Sequence, residues 1–522
     1  MKPIQSVLIV GGGTAGWLSA AFLAAAHGTA SGKGLRITLV ESPDIGLIGV
    51  GEATFPSLKG TLAAIGIGEA RFLRESNATF KQGIRFNNWV RPPGAAGADH
   101  YFHPFSVPSQ RPGMPELLPY WLLGAAGDMP FAQAVTMQKR VADAKHGPKR
   151  ATDADFLGPF NYAYHFDAAL FAAMLRKHAI GLGVRHVVAN VERTELDESG
   201  AIASVVTREA GSLGADLYID CTGFRAALIE GALKSPFRSM SDVLFADRAV
   251  AMQVPYERPD APISSYTIAN AKEAGWIWDI GLQQRRGMGY VYSSRHTDDG
   301  RAEKVLRDHI GPANAGLEPK FLKIRVGYRD AQWVKNCVAI GLSGGFVEPI
   351  ESSGIGLIET ATYLLSYAFP FDGDMAPAAR QFNEMMTARY RRIIDFVKMH
   401  YCLNQRSDTQ FWIDNADPAS TTETLREKLA MWRCRPPNRL DFVTDLEMYP
   451  PSSWQYVLYG MEFRTDLSAS RASYPRIEEA SAEFRMIEQV SQRALADVPT
   501  HRALVDELCA RDRAPARTSA LV

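Results

Sequence analysis

An α/β fold with α+β elaboration is what the sequence predicts, and three observations predict it. Residues 5–41 alternate strand, glycine turn, helix and strand. Two more strand-to-glycine turns follow, at 218–224 and 338–345. From about residue 354 the apolar pattern turns helical and stays mostly so to 512. A chain of 522 residues is too long for one simple core. The expected division is a discontinuous core over 1–420, a mostly helical C-terminal part over 421–512 and a disordered tail over 513–522. The core takes in strands and loops at about 85–160 and 240–295.

The first element is the strand "SVLIV" (6–10), cut off by "GGGTAG" (11–16). "WLSAAFLAAAH" (17–27) continues as a helix, and "RITLVE" (36–41) is the second strand. This is a βαβ unit. Gly11, Gly13 and Gly16 form Gly-x-Gly-x-x-Gly between strand and helix. Glycines there allow a tight turn and a close backbone approach to a pyrophosphate, which the helix N-terminus then binds. Thr14 and Ala15 open that helix, and Glu41 ends the second strand, where a ribose-binding acid belongs. A dinucleotide site follows. The turn "YIDCTGF" (218–224), with Asp220 and Gly223 near the cofactor, and the turn "VAIGLSGG" (338–345) favour FAD over NAD.

Further along, "RPPGAAGAD" (91–99) and "VPSQRPGM" (107–114) read as loops, and 145–155 as a polar surface loop. "DAALFAAMLRKHAIGLG" (167–183) is a helix with a glycine stop. Strands are expected over 185–220, with a turn at "DESG", and over 240–295. Helices fill 354–405 and most of 422–512, apart from a loop near 435–453.

Lysine plus arginine equals aspartate plus glutamate, 57 each, which argues against nucleic acid or an anionic membrane as the main partner. Five scattered cysteines, never in a CxxC pair, fit reduced thiols in a cytoplasm and no metal site. No run of about 18 apolar residues offers a membrane span, and the N-terminus lacks a signal-peptide pattern. A monomer or a homodimer is expected.

The chain resembles the flavin-dependent halogenases of the tryptophan-halogenase family. The resemblance rests on "GGGTAGW" (11–17), "GVGEAT" (49–54), "TFKQGI" (79–84), "GWIWDI" (275–280) and "GLSGGFVEPIESSGI" (341–355). It implies an FAD-binding domain of the glutathione-reductase/hydroxybenzoate-hydroxylase-like kind. FAD contacts at Val50, Ala53, Val191, Leu342 and Ile355 follow from it, beside those of the first glycine turn. Lys81 falls on the family's catalytic lysine and Glu351 on its second catalytic residue, with Glu348 as a structural rival. Ser353 and Gly354 fall on the halide site, with serine in place of the familiar threonine. Trp276 and Trp278 fall on the wall between flavin and substrate, and Gly281 replaces the proline that usually follows. His103, Phe105 and Trp454 fall on the substrate-flanking positions.

The implied reaction uses reduced FAD from a separate NADH-dependent flavin reductase. A flavin hydroperoxide and chloride or bromide give hypohalous acid, which halogenates an electron-rich aromatic at Lys81. Lys81 either donates a hydrogen bond to hypohalous acid or forms a haloamine. Glu351 can orient the donor, stabilise the cationic ring or accept its proton. Tryptophan-specific members grip the amino acid with a tyrosine pair and a glutamate. Here the approximate positions read Phe442, Val443 and Tyr449, so indole or an indole derivative is expected as substrate. The alternatives are an FAD-dependent aromatic monooxygenase and a non-catalytic flavin-binding protein.

Overall fold

The computed structural model describes residues 3–46 and 52–511, so Val50 and the tail from 513 lie outside the described residues. Ser6–Val10 lies inside a six-stranded sheet ordered Trp333–Val334, Cys337–Ala339, Leu217–Asp220, Ser6–Val10, Arg36–Glu41, Arg185–Val188. All pairs are parallel except the edge pair Trp333–Val334 with Cys337–Ala339. Strand alternation sends Val7 and Ile9 to one face, against Leu18 and Ala21 of the helix Thr14–Ala26. Leu8 and Val10 face the other way, against Ile202 and Val205 of a three-stranded antiparallel layer. Both faces are therefore covered, as a parallel sheet requires.

The glycine turn is sterically obligatory. Gly11 has φ 114°, and a Cβ there would sit 2.2 Å from the Cys221 carbonyl oxygen. A Cβ on Gly16 would sit 1.9 Å from the Gly11 carbonyl oxygen. Helix and strand thus meet with no room for a side chain.

A second, seven-stranded sheet runs Lys320–Lys323, Arg248–Pro255, Arg285–Tyr292, Gly275–Gly281, Thr267–Lys272, Gly83–Asn87, His100–Pro104. Within it Trp276 is paired with Ala271 and Val291, and Trp278 with Ala269 and Gly289. Small cross-strand neighbours leave space for the two indoles, and a Cβ on Gly289 would lie 2.1 Å from the Trp278 ring. A three-stranded sheet of Glu52–Ala53, Ala163–Phe166 and Thr79–Lys81 completes the part that concerns the site.

The helices Ser353–Tyr367 and Met375–Cys402 follow the expected pattern, as does Ala168–Gly181, capped by the Asp167 carboxylate. Short helices such as Leu58–Ala64, Glu69–Glu75 and Gln138–Asp143 are too brief to show periodicity in the sequence. The stretch 145–155 is a loop as expected, exposed at Lys145, Arg150 and Thr152, but it is not all surface. Lys149 is fully buried and donates to Glu69 at 2.7 Å, while the Tyr162 and Tyr164 hydroxyls donate to the same carboxylate at 2.7 and 2.5 Å. Four donors around one buried carboxylate, with a backbone N–H from Phe156, satisfy a charge that could not otherwise be buried. The last helices fold back over the core: Pro451–Gly460 packs on His100–Pro104, and His501–Ala510 on Glu69–Glu75.

Candidate active site

A cavity of about 800 Å³ opens at the C-terminal ends of the parallel strands, where open α/β sheets bind ligands. Gly11, Gly13, Thr14 and Ala15 line it after the first strand, and Glu41 after the second. Gly16 does not reach it and serves helix packing instead. Ala53, Val191, Leu342 and Ile355 also line the cavity. The helix Thr14–Ala26 starts at Gly13 without a side-chain cap, so its first N–H groups are free to meet a phosphate. The Glu41 carboxylate accepts from His186 Nε2 at 2.7 Å, which fixes it beside Gly12. Gly223 borders the cavity with no atom within 4 Å of where a Cβ would stand. Asp220, expected near the cofactor, turns away from the cavity. It is fully buried, and its carboxylate accepts from the backbone N–H groups of Thr222, Leu228 and Ile229.

Trp276 and Trp278 line the same cavity, ring centroids 6.4 Å apart and planes inclined at 63°. So do Ser352 and Gly354. Ser352 is left-handed, φ 61°, a conformation a non-glycine residue adopts only when its surroundings impose it. This puts its hydroxyl 2.7 Å from Lys81 Nζ, which donates to it and, at 3.3 Å, to the Thr54 carbonyl. Lys81 is fully buried at the end of the strand Thr79–Lys81, its nitrogen 5.1 Å from the Phe105 ring centre. Burial pulls the amine down to about 7, although the Glu351 charge opposes it.

Glu351 ends the short turn Pro349–Glu351 and is also buried. His103 Nδ1 donates to its two oxygens at 2.9 and 3.0 Å, and His400 Nε2 to Oε1 at 2.9 Å. Burial pushes this carboxyl up, but His103 and His400 outweigh it and hold it at about 2. The other ring nitrogen of His400 lies 2.9 Å from the Phe396 carbonyl oxygen, so both nitrogens face acceptors. Glu348, three residues earlier, is buried apart from this cluster. Burial pushes it up to about 7, against hydrogen bonds from Trp276 and Tyr401.

A family model described as tryptophan halogenase matches residues 6–474. The tryptophan 6-halogenase SttH of Streptomyces toxytricini is 38% identical over 477 residues, 87% of this chain and 89% of that protein. The solved structure of a tryptophan halogenase from Shewanella frigidimarina NCIMB 400 superposes with a TM-score of 0.93 at 40% identity, covering 97% of this chain and 98% of that one. BrvH, a flavin-dependent halogenase from Brevundimonas sp. BAL3, gives 0.85 at 33%, covering 97% and 99%. This chain belongs to the tryptophan halogenase family. It is an enzyme, a flavin-dependent halogenase with reduced FAD and a halide as co-substrates. The uncapped helix start, the open space at Gly223 and the cavity size fit the flavin dinucleotide.

The remaining residues singled out from the halogenase sequence lie beyond the cavity. Ser353 is buried as the first residue of its helix, whose first turn has no side-chain cap, and it lies beside the Tyr449 hydroxyl. His103 is not an open wall: besides Glu351 it engages Ser453 Oγ at 2.8 Å. Phe105 is partly exposed and packs against Phe55 and His103. Trp454 is buried among Trp432, Phe442 and Phe396, its indole N–H without a partner among the described residues. Four residues around Lys81 and Glu351 were not singled out in the sequence: Thr54 and Ser352, although both lie inside the quoted motifs, and His400 and His501, which no motif marks. His501 Nε2 accepts the backbone N–H of Phe80, next to Lys81, at 2.9 Å, while Nδ1 donates to the Ile263 carbonyl at 3.1 Å. Among the described residues no cluster could hold a metal ion, and no helix is long and apolar enough to cross a membrane.

Proposed function

We propose that this halogenase chlorinates or brominates indole or an indole derivative, with Lys81 and Glu351 as its catalytic residues. The observation that carries this reading is the buried Lys81, one side chain removed from the flavin cavity through Ser352. Reduced flavin and oxygen, when bound, convert a halide into hypohalous acid. Chloride or bromide sits at the backbone N–H groups of Ser353 and Gly354, where the helix start favours an anion. Trp276 and Trp278 divide the cavity from the substrate, passing the small oxidant and keeping the aromatic ring out.

At Lys81 two hydrogen-bond donors are already committed, to Ser352 and Thr54. The ammonium form keeps a third N–H for the oxygen of hypohalous acid; the neutral amine keeps a lone pair for the halogen itself. With the ammonium, the O–halogen bond breaks as the ring carbon takes the halogen, and the ring proton ends on the released hydroxide as water. With the amine, water leaves as the haloamine forms, and the ring proton ends on the Lys81 nitrogen as the N–halogen bond breaks. Held ionised by His103 and His400, Glu351 stabilises the cationic ring or relays its proton. Of the residues expected on the substrate side, Phe105 is partly exposed, while His103 and Trp454 are buried.

Relatives named for halogenating tryptophan at ring positions 6 and 7 support an indole ring. At the positions expected for the amino-acid grip, Phe442 packs on Trp432 and Val443 is exposed. Tyr449 stacks on Phe396, 4.0 Å between ring centres. This favours a ring without the amino-acid end. A separate NADH-dependent flavin reductase supplies the reduced FAD, and the enzyme works in the cytoplasm, where its five unpaired cysteines stay reduced.

The test is mass spectrometry of indole and of tryptophan treated with the protein, FAD, a flavin reductase and NADH. Bromide, chloride or neither is present, and Lys81→Ala is the control. A halide-dependent mass gain on indole, lost in the control, is expected. A gain of one oxygen without halide overturns the reading in favour of a monooxygenase, and equal turnover by Lys81→Ala overturns the role of Lys81.

A further inference from the structure

Glu348 belongs to none of the roles above, yet it is a carboxyl buried at the junction of three parts of the site. Its Oε2 accepts the indole N–H of Trp276 at 3.1 Å and the hydroxyl of Tyr401 at 2.8 Å. Its Oε1 has no partner among the described residues. Tyr401 is the residue after His400 on the helix Met375–Cys402, and His400 donates to Glu351. Two consecutive residues of one helix therefore hold the two carboxylates that flank Pro349 and Ile350.

We infer that Glu348 is a positioning residue which fixes the Trp276 indole and so ties the tryptophan wall to the helix that holds Glu351. The inference rests on the reading of Trp276 and Trp278 as a wall between cavity and substrate. The two indoles are held differently. Trp278 is wedged by packing against Gly289, and its indole N–H has no partner among the described residues. Trp276 has a hydrogen bond to a buried carboxyl, and such a bond sets ring orientation as well as position. An indole free to turn would open the wall without changing its composition. Hypohalous acid would then leave before reaching Lys81, or the ring would meet the flavin. The device keeps wall and catalytic carboxylate in one register.

Two measurements test this, on Glu348→Leu, Glu348→Gln, Tyr401→Phe, Trp276→Phe and the unaltered protein. The first follows the Trp276 indole N–H resonance in flavin-free protein labelled with ¹⁵N-tryptophan, assigned by its disappearance in Trp276→Phe. Glu348→Leu is expected to move the resonance upfield and to speed its exchange with solvent by about tenfold or more. Glu348→Gln, whose amide oxygen can accept both bonds, is expected to keep it near its original position. An unmoved resonance in Glu348→Leu overturns the proposal, as does a Gln variant as altered as the Leu variant.

The second measurement divides the reduced flavin consumed between halogenated indole and hypohalous acid caught by a soluble scavenger. Glu348→Leu and Trp276→Phe are expected to shift the balance to the scavenger, Tyr401→Phe less so. A merely structural role would lower both products together, and that result overturns the proposal. If Trp276→Phe leaves the balance unchanged, the wall reading itself fails. If Trp276→Phe shifts it and Glu348→Leu does not, the wall stands and the role of Glu348 fails. Should Glu348→Leu not fold, the Gln, Tyr401 and Trp276 variants still decide both points.

Discussion

Lys81 Nζ donates to Ser352 Oγ at 2.7 Å, and Ser352 holds a left-handed backbone at φ 61° to receive it. Strain and function are joined in one residue. Ser352→Gly relieves the strain and removes the hydroxyl; it is expected to hold or raise stability, by up to about 1 kcal/mol, while lowering kcat. Ser352→Ala keeps the strain and loses the hydroxyl, so it lowers both. Thermal melts beside turnover numbers check the pair. A Gly variant with unchanged kcat would remove Ser352 from the site.

Lys81 is expected to cost stability at neutral pH. Between about 7 and about 10.4 the unfolded chain holds a proton that the folded protein has released. More protons bound in the unfolded state means that stability rises with pH across that window. Lys81→Met is therefore expected to be inactive and more stable at pH 7, by ~1–4 kcal/mol. Melts from pH 7 to pH 10 should show the gap closing as the pH rises.

The same titration separates the two forms of Lys81. If the ammonium acts, turnover falls as the pH passes about 7; if the amine acts, it rises. A pH profile under single-turnover conditions, with flavin reduced in advance, reads the sign directly.

Glu351 stays ionised down to about pH 2 while His103 and His400 donate to it. Glu351→Gln is expected to lower kcat about 10²–10³-fold with little change in KM. His400→Phe removes one of the donors, so the carboxyl rises toward its ordinary value and an acid limb appears in the profile of that variant. A profile of His400→Phe identical in shape to that of the unaltered enzyme would count against the arrangement.

Gly289→Val is expected to destabilise by about 1–3 kcal/mol, because even a Cβ would stand 2.1 Å from the Trp278 ring. Chemical denaturation measures this. Displaced Trp278 should also raise the share of hypohalous acid lost to a scavenger.

What the sequence made legible was local. The glycine turn, its strand and its helix lie within residues 6–26, and their geometry follows from steric rules that act over a few residues. That Trp276 and Trp278 line one cavity together was legible because strand alternation puts them on one face. The partners of the candidate catalytic groups were not. Ser352 is 271 residues from Lys81, and His400 is 49 from Glu351. His400 sits in a plain helical pattern in which no neighbour marks it. Lys149 read as surface because its buried partners, Glu69 and Tyr162, come from other elements. Polar burial depends on where the chain returns, and periodicity carries no record of that.

The bond from Phe80 to His501 ties the strand that carries Lys81 to the helix His501–Ala510, 421 residues further along the chain. The glycine turn closes instead on Val40 and Cys221. The cofactor end and the reactive end are thus anchored by different stretches of sequence. Loosening the last helix would be felt at Lys81 while the glycine turn kept its shape.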